Sequence, residues 1–359
     1  MPTKDGAATL NGQIDWPAGQ YEVEEEAGLP LVFMVPGTGL FDRDVYFGNS
    51  NTDADLIFKT LGNALTQHAL AVLRFDKRGV SCNERTVRGD GGFDGFIEKC
   101  VDREIRSRVT PATIQDDIKQ IFDNAASHDR IDPNRIILFT HSEGTTHVAR
   151  LVKAGQISAR GLVALGFVAE SPKRLLRWQL TKRMADLVML RDSDGDGSIS
   201  NDEIKAGGLF LGAINPDIYL SASGLRTEAE LRTFLGDEYE TFYQNTLAIP
   251  DDRPYGRLAS YAWWKMYVVD DRPVVDDLFD FDGVMAFHNG ANDSQTPASR
   301  NFDIVRAVID RFKVKPKTDH AHAQRPHPRR RSDSRADGSC VDATTGGRDR
   351  GDGKRLGRG

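Results

Sequence analysis

Five short apolar runs, separated by segments of helical periodicity, constrain the fold of this chain more than any other feature. The runs are LPLVFMVPGTG (29–39), ALAVLRFDKRG (69–79), RIILFTHSEG (135–144), GLVALGFVAESP (161–172) and GVMAFHNGANDSQTP (283–297). Such runs are typical of strands buried on both faces of a parallel sheet. Apolar residues at spacings of three and four predict helices over 53–68, 113–128 and 298–312. The sequence therefore predicts an α/β fold, with a mostly parallel sheet and helices on both of its faces.

A helical insertion separates the last two predicted strands. KRLLRWQLTKRMADLVMLR (173–191) has the pattern of one long amphipathic helix, and TEAELRTFLGDEYETFYQN (227–245) predicts another. Before the first run, 8–19 and 20–28 alternate like antiparallel edge strands. The insertion is expected at the carboxyl edge of the sheet, where open α/β sheets bind ligands. The predicted boundaries are 1–172 and 281–318 for the core, 173–280 for a helical cap and 319–359 for a tail.

The cap contains a calcium-binding pattern in RDSDGDGSISNDEI, residues 191–204. From Asp192 the segment fits D-x-[DN]-x-[DN]-G-x5-E at every position, and it resembles the loop of an EF-hand. Such a loop supplies the six to eight oxygens that Ca²⁺ takes. The predicted ligands are Asp192, Asp194, Asp196, Ser198 through its carbonyl, Ser200 and Glu203. The alternative is an acidic surface turn that binds nothing. The sequence shows no second loop, so it favours one structural Ca²⁺ over a calcium sensor.

Ser142 lies at a predicted strand-to-helix turn, in the segment Thr140-His141-Ser142-Glu143-Gly144. A sharp turn of this kind presents a serine hydroxyl as a nucleophile, and its usual pattern is G-x-S-x-G. Gly144 keeps the small residue after the serine. Thr140 replaces the small residue before it, and its branched Cβ is expected to crowd the turn. The alternative is an ordinary turn with an N-capping serine.

Several segments around this turn resemble the α/β-hydrolase superfamily. The resemblance is greatest to bacterial esterase-like serine hydrolases with the pattern H-G-S-G-x-x-D-R-D. This chain reads PGTGLFDRD at 36–44, with Pro36 in the place of the histidine. AVLRFDKRGVS, THSEGT and GANDSQTP are also similar to that branch, and the likeness covers about residues 8–315. The resemblance implies an α/β-hydrolase fold with a helical cap, and serine hydrolase activity without a catalytic cofactor.

The resemblance also implies individual roles. Ser142 is the expected nucleophile, and Asp293, just after the last predicted strand, is the expected acid of a catalytic triad. The backbone N–H groups of Thr38 and Glu143 are the expected oxyanion donors. Asp293 could instead be a turn former in N-D-S. Other charged and imidazole groups nearby are interpreted as structural or packing residues, namely Asp42, Arg43, Asp44, Asp76, Lys77, Arg78, His141 and His147.

The histidine of the triad must follow Asp293 in the chain. The candidates are His320, His322 and His327, of which His327 has the most plausible distance from Asp293. All three lie in a tail rich in Arg, Asp and Gly, whose composition predicts disorder. A second hypothesis is a frameshift. GC-rich codons for Asp319–Arg330, shifted by one base, permit T-T-L-T-L-S-G-L-T-H-A-V, which reads as a strand, a turn and a histidine.

Composition adds few constraints. The formal net charge of −6 gives no indication of a nucleic-acid partner. No apolar run reaches the length of a membrane span, and the N-terminus lacks the apolar stretch of a signal peptide. This predicts a cytoplasmic protein, or a secreted or periplasmic one if the N-terminus is trimmed. Cys82 and Cys100 could form a disulfide, but two thiols are favoured in a chain without a signal.

We therefore expect a serine hydrolase that cleaves carboxylic esters through an acyl-enzyme, with a small-molecule substrate and structural Ca²⁺ in the cap. Thioesterase or peptidase activity on the same triad is one alternative. A catalytically impaired calcium-binding module on the hydrolase fold is another. The oligomeric state is left open. Aromatic cap residues could line an acyl pocket, although most are expected to form the core of the cap, namely Trp178, Phe210, Trp263 and Trp264.

Overall fold

Six strands form the central sheet of the computed structural model, in the order β1-β3-β2-β4-β5-β10. The structure describes residues 1–17, 28–46, 56–82, 92–206, 216–255 and 259–314. The described strands are β1 (Gly12–Asp15), β2 (Leu29–Val35), β3 (Ala71–Phe75), β4 (Ile131–His141), β5 (Gly161–Leu165), β6 (Ser198–Ser200), β7 (Leu225–Thr227), β8 (Pro254–Tyr255), β9 (Ala259–Ser260) and β10 (Val284–His288). β1 is antiparallel to β3, and the other pairs of this sheet are parallel.

Helices cover both faces of the sheet. They are α1 (Ile57–Thr66), α2 (Gly92–Cys100), α3 (Arg103–Ser107), α4 (Pro111–Ala126), α5 (Glu143–Lys153), α6 (Pro172–Leu180), α7 (Lys182–Met189), α8 (Asn201–Ala206), α9 (Glu228–Ala248), α10 (Tyr261–Val269), α11 (Val274–Asp277) and α12 (Ala298–Val314). Strand β2 shows the two faces. Leu31, Phe33 and Val35 pack in a core with α4 and α5, whereas Val32 and Met34 pack in a second core with α1.

The predicted α/β fold class is confirmed. Each of the five apolar runs contains a strand of the central sheet, and each segment predicted to be helical overlaps a described helix. The mostly parallel sheet, the strand-turn-helix at β4 and α5, and the helices inserted between β5 and β10 form the α/β-hydrolase fold. The predicted edge strand at 8–19 contains β1, whereas nearly all of the one at 20–28 lies outside the described residues.

Two predictions about elements were wrong. The helix expected over 173–191 is two helices, because Thr181 has a ψ of −86° and its hydroxyl donates to the carbonyl of Arg177 at 2.6 Å. A side chain that bonds its own helix in this way competes with the regular ladder. The last apolar run was expected to be buried on both faces, but Val284 of β10 is 73% exposed. Among the described residues, β10 pairs only with β5.

Charged side chains hold the loops around the first strands, as predicted. Arg43 lies 2.7 Å from the carboxylate of Asp76, and Arg74 pairs with Asp44. Arg78 lies 2.6 Å from Asp117 of α4. Buried ion pairs of this kind tie the loop after β3 to α4 and to the loop after β2.

Cys82 and Cys100 form a disulfide, which corrects the preference for two thiols. Their Cα atoms lie 4.9 Å apart, within the range that such a bridge requires. Both residues are buried in a small apolar cluster with Phe96 and Ile97. In the described parts of the chain, no helix is long and apolar enough to cross a membrane.

Candidate active site

Ser142 occupies a strained position between β4 and α5. Its φ of 50° and ψ of −122° lie outside the regions that ordinary residues prefer, so the turn must be held by its surroundings. The Ser142 N–H donates to the carbonyl of Leu165 at 2.9 Å. The serine makes no side-chain capping bond to α5, which removes the N-cap alternative. A strained serine at the carboxyl edge of the sheet has the geometry of a nucleophile elbow.

The residues two before and two after the serine explain how the turn is tolerated. A Cβ at Gly144 would lie 2.7 Å from the carbonyl oxygens of Val35 and Pro36, so only glycine fits there. Thr140 is fully buried, and its hydroxyl lies 2.9 Å from that of Thr145. The branched residue that was expected to crowd the turn therefore bonds to the helix that follows.

The loop after β2 packs directly against the elbow. A Cβ at Gly37 would lie 2.9 Å from the Cβ of Ser142 and 2.7 Å from Nδ1 of His141. This close approach places Thr38, the next residue, on the wall of the same cavity as Ser142. Tyr267 of α10 lines the same cavity from the cap. Both predicted oxyanion residues, Thr38 and Glu143, thus lie beside the serine.

Asp293 follows β10 and reaches the same cavity. Its Oδ1 accepts from the N–H groups of Gln295 at 2.8 Å and Thr296 at 3.0 Å, and its Oδ2 accepts from the Thr296 hydroxyl at 2.7 Å. Burial acts to raise the pKa of this carboxyl, but these bonds and the nearby His141 outweigh it and hold the pKa below its usual value. Asp293 is therefore a carboxylate at neutral pH.

The cavity between the core and the cap has a volume of about 360 Å³. Ser142 and Asp293 lie on its core side, and apolar or aromatic side chains face them from the cap, namely Leu175, Leu176, Trp263, Trp264 and Tyr267. Of the aromatic residues predicted to line a pocket, Trp263 and Trp264 do so. Trp178 packs against the main core instead, beneath the guanidinium of Arg300. Phe210 lies outside the described residues.

The side chain of Glu143 is buried directly behind the elbow. Its Oε1 accepts from the Trp263 indole and lies 3.3 Å from Nε2 of His147, which must carry the hydrogen because a carboxylate only accepts. Its Oε2 lies 3.8 Å from Nζ of Lys77. Burial acts to raise the pKa of Glu143, but the His147 hydrogen bond and the Lys77 charge overcome this effect and lower the pKa to about 2. The contacts of Glu143 thus join α5 to the cap and to the loop after β3.

His320, His322 and His327 all lie outside the described residues. His141 is the imidazole that the described chain places in the cavity. Burial is the main cause that lowers the pKa of His141, although Asp293 acts to raise it. A Cβ at Gly166 would lie 3.7 Å from both the Asp293 carboxylate and the His141 ring.

The candidate calcium loop follows α7 of the cap. The carboxylate oxygens of Asp192, Asp194 and Asp196 lie within 4.8 Å of one another. Glu203 accepts from the Ser193 N–H at 2.7 Å and from the Ser200 N–H at 2.9 Å. The Ser200 and Ser193 bonds lower the pKa of Glu203 to about 2. The loop therefore presents a set of oxygen donors that suits a hard cation such as Ca²⁺.

Residues 219–230 form a second loop of the same shape, which the sequence did not reveal. Each position of the second loop lies 27 residues after its equivalent in the first. Gly224 therefore corresponds to Gly197, and both have a φ of +82°. The β-ladder between the loops pairs Ile199 with Arg226 at its centre. Asn201 N donates to the Gly224 carbonyl at 2.9 Å, and Glu228 N donates to the Gly197 carbonyl at 3.4 Å. The two loops are thus related by an approximate twofold axis.

The last turn of each loop repeats the same hydrogen bonds. Ser200 donates to Glu203 through its N–H and hydroxyl, and Thr227 donates to Glu230 in the same way. The second loop carries Tyr219, Ser221 and Ser223 where the first has Asp192, Asp194 and Asp196. It therefore has the fold of a calcium loop with one carboxylate, Glu230, at the ligand positions. The two halves share a core of Met184, Ala185, Val188, Ile199, Ile204, Tyr219, Leu231 and Leu235.

No family model matches this chain, and no curated protein matches it. Solved structures to which it is similar include Est1E from Butyrivibrio proteoclasticus with ferulic acid bound, at 14% identity and a TM-score of 0.41, over 84% of this chain and 82% of that one. A hydrolase from Pseudomonas aeruginosa PA01 is 17% identical, with a TM-score of 0.41 over 86% and 85% of the chains. The α/β hydrolase GrgF from Penicillium sp. sh18 is 14% identical, with a TM-score of 0.37 over 86% and 97%. Because these likenesses are distant, the fold rests on the sheet order described above.

Proposed function

We propose that this protein is a serine hydrolase that cleaves carboxylic esters through an acyl-enzyme intermediate. The observation that carries the proposal is the strained, uncapped Ser142 at the end of β4, which faces a cavity that it shares with Thr38, Glu143 and Asp293. Strain of this kind persists only where the surrounding structure imposes it, and it concentrates at functional sites.

The proposed reaction has two steps on one serine. The Ser142 hydroxyl attacks the ester carbonyl as a histidine takes its proton, and the oxygen of the tetrahedral intermediate accepts from the N–H groups of Thr38 and Glu143. The alcohol leaves with that proton, and water then attacks the acyl-enzyme and releases the acid. Asp293 orients the histidine and stabilises its cationic form. His327 is the proposed histidine.

The cavity supports an ester of modest size. Its cap wall is apolar and aromatic, which suits an acyl chain, and Gln179 of the cap and Gln295 of the core are polar groups that line the same cavity. Thioesterase or peptidase activity would use the same serine, so parallel assays with a matched thioester and amide assign the leaving group. The Cys82–Cys100 bridge favours an oxidising compartment, and hence the secreted or periplasmic localisation.

The proposal includes one Ca²⁺ as a structural ion in the loop 192–203. Asp192, Asp194 and Asp196 would hold it, with Glu203 as the closing carboxylate and Ser198 and Ser200 as further oxygen donors. The ion would stabilise the folded cap because it binds the native state and not the unfolded chain. No step of the proposed reaction passes through it.

The decisive test combines a fluorophosphonate probe with ester turnover. Wild-type protein is expected to be labelled at Ser142, as mapped by mass spectrometry, and to hydrolyse p-nitrophenyl esters. Ser142→Ala should remove the label and lower kcat by at least about 10⁴-fold. Ser171→Ala is the control, since Ser171 caps α6 and does not line the cavity. Turnover that survives in Ser142→Ala would reject the proposal, and folded protein without label or turnover would favour the calcium-binding module.

A further inference from the structure

Lys77 is buried between the two segments that carry the expected oxyanion donors. Its Nζ donates to the carbonyl oxygen of Gly37 at 2.6 Å, and the same atom lies 3.8 Å from Oε2 of Glu143. Gly37 immediately precedes Thr38, and Glu143 immediately follows Ser142. One ammonium group therefore contacts both sides of the expected oxyanion hole.

The geometry of the peptide bond gives the Gly37 contact a specific consequence. The carbonyl of Gly37 and the N–H of Thr38 belong to one planar trans peptide, so they point in opposite directions. The carbonyl points to Lys77, which is only 8% exposed, on the buried side of the loop. The Thr38 N–H is therefore directed to the other side, where Thr38 lines the cavity with Ser142.

The lysine is itself held in place by its backbone. Its N–H donates to the carbonyl of Phe41 at 3.1 Å, and its carbonyl accepts from Val80 N at 2.8 Å. The neighbouring Asp76 is fixed by Arg43. The ammonium group is thus a fixed donor, in contrast to the mobile lysine of an exposed surface.

Burial makes this arrangement costly. It is the main reason that the pKa of Lys77 falls to about 8, with Arg106 acting in the same direction and Glu143 opposing it. Replacement of a buried ion pair by well-packed apolar side chains is often neutral or stabilising. A cation at this position is thus better explained by what its hydrogen bond orients than by stability alone.

We propose that Lys77 is a positioning residue that aligns the oxyanion hole by fixing the Gly37–Thr38 peptide and the Glu143 side chain relative to each other. This inference rests on the proposed serine hydrolase function. It predicts that loss of the lysine weakens stabilisation of the transition state and leaves binding of the ester in its ground state nearly unchanged.

The test compares Lys77→Met with the double variant Lys77→Met/Glu143→Gln. Lys77→Met should lower kcat for a p-nitrophenyl ester by about 10- to 100-fold, somewhat less than deletion of an oxyanion donor, and change KM by less than about threefold. It should also lower Tm, because Glu143 remains buried without its cation. The double variant removes both charges, so Tm should recover while kcat stays low.

Arg150→Met is the matched control. Arg150 is a buried cation of the same helix as Glu143, paired with Asp270 and Asp277, and it does not contact Gly37. Its loss should lower Tm and leave kcat unchanged. If the double variant recovers kcat together with Tm, Lys77 only neutralises Glu143 and the inference is overturned.

A measurement without turnover separates this inference from the proposed function. In Lys77→Met, the amide proton of Thr38 should exchange with solvent faster and the Gly37 carbonyl carbon should change its NMR shift, relative to wild type and Arg150→Met. If wild-type protein has no Ser142-dependent activity, the proposed function fails. In that case unchanged NMR signals overturn the role of Lys77, and changed signals support its positioning of the loop.

Discussion

At the scale of single residues, Glu143 links the elbow to the acid stability of the protein. Its pKa is lowered to about 2, against 4.5 for the unfolded chain, so the unfolded state binds more protons between these values. Its contribution to the free energy of unfolding is therefore fully present above pH 4.5 and is lost as the pH falls towards 2. The shift corresponds to at most about 3 kcal/mol.

Glu143→Gln should accordingly flatten the dependence of stability on pH. Urea unfolding at pH values from 3 to 7 measures the slope for wild type and variant. Glu240→Gln, at an exposed glutamate of α9, should keep the wild-type slope. Equal slopes for wild type and Glu143→Gln would show that the buried network does not hold Glu143 ionised.

The base can be assigned by matched histidine substitutions. His327→Gln should lower Ser142-dependent kcat by about 10³-fold or more, because the nucleophile then has no group to take its proton. His320→Gln and His322→Gln should leave kcat close to wild type. His141→Gln tests the imidazole that lies in the cavity near Asp293. A large loss in His141→Gln with none in His327→Gln would reverse the assignment.

The residues that could be predicted from the sequence share one property. Thr38, Ser142, Glu143 and Asp293 each follow a strand of the central sheet closely, and parallel strands bring such positions to one edge of the sheet. Lys77 also follows a strand, but its contacts depend on the conformation of its long side chain. Its role is visible only in three dimensions, because no local pattern encodes the distances to Gly37 and Glu143.

At the scale of elements, the two loops of the cap offer a controlled test of calcium binding. Glu203 and Glu230 occupy the same position in the two loops and accept the same hydrogen bonds. Glu203→Gln should remove most of the rise in Tm that millimolar Ca²⁺ produces in wild-type protein, since it removes a carboxylate from the four-carboxylate loop. Glu230→Gln keeps a side chain that can cap α9, and it should keep the response to Ca²⁺.

The measurement is differential scanning calorimetry with Ca²⁺ and with a chelator. Addition of Mg²⁺ separates a specific response from simple charge screening. The calcium proposal fails if the wild-type melting curve is the same with ion and chelator. A response lost equally in both variants would mean that the second loop takes part in binding.

The sequence motif does not detect the second loop, because a loop can keep its backbone geometry after its ligand residues have changed. The calcium pattern is defined by ligand residues, and Tyr219, Ser221 and Ser223 have replaced them. The residues that fix the backbone of the loop remain. They are Gly224, with its positive φ, and the capping box of Thr227 and Glu230 at the start of α9. A search at the 27-residue offset finds this glycine and glutamate. The break at Thr181 carries no comparable signal, because threonine is common within helical patterns.

At the scale of the whole molecule, the arrangement of the sheet explains why one cavity collects so many predicted residues. β2, β4, β5 and β10 are parallel, so the loops at their carboxyl ends meet beneath the cap. The cap contributes Trp263, which donates to Glu143, and Tyr267, which lines the cavity together with Thr38. Its position is thereby linked to the segments that carry Thr38 and Glu143, beside the serine.

The exposure of β10 gives the frameshift hypothesis a structural consequence. In the described chain this strand has one partner, β5, and Val284 is 73% exposed. A strand placed beside β10 would satisfy the free edge and bury such side chains, and a turn after it would lie near Asp293. The shifted reading T-T-L-T-L-S-G-L-T-H-A-V supplies a strand of this kind followed by a histidine.

Exchange of residues 319–330 for the shifted segment, with the downstream reading frame, should therefore raise both stability and activity. The expected gain in kcat is about 10³-fold if the present chain has no working base, because a histidine then reaches Asp293 and Ser142. Tm should rise as β10 gains a partner. The same exchange with its histidine replaced by glutamine should keep the gain in Tm and lose the gain in kcat. If neither quantity rises, or the gene's 3′ end shows an unbroken frame with no insertion or deletion, the frameshift hypothesis is wrong and the base must be sought among His141, His320, His322 and His327.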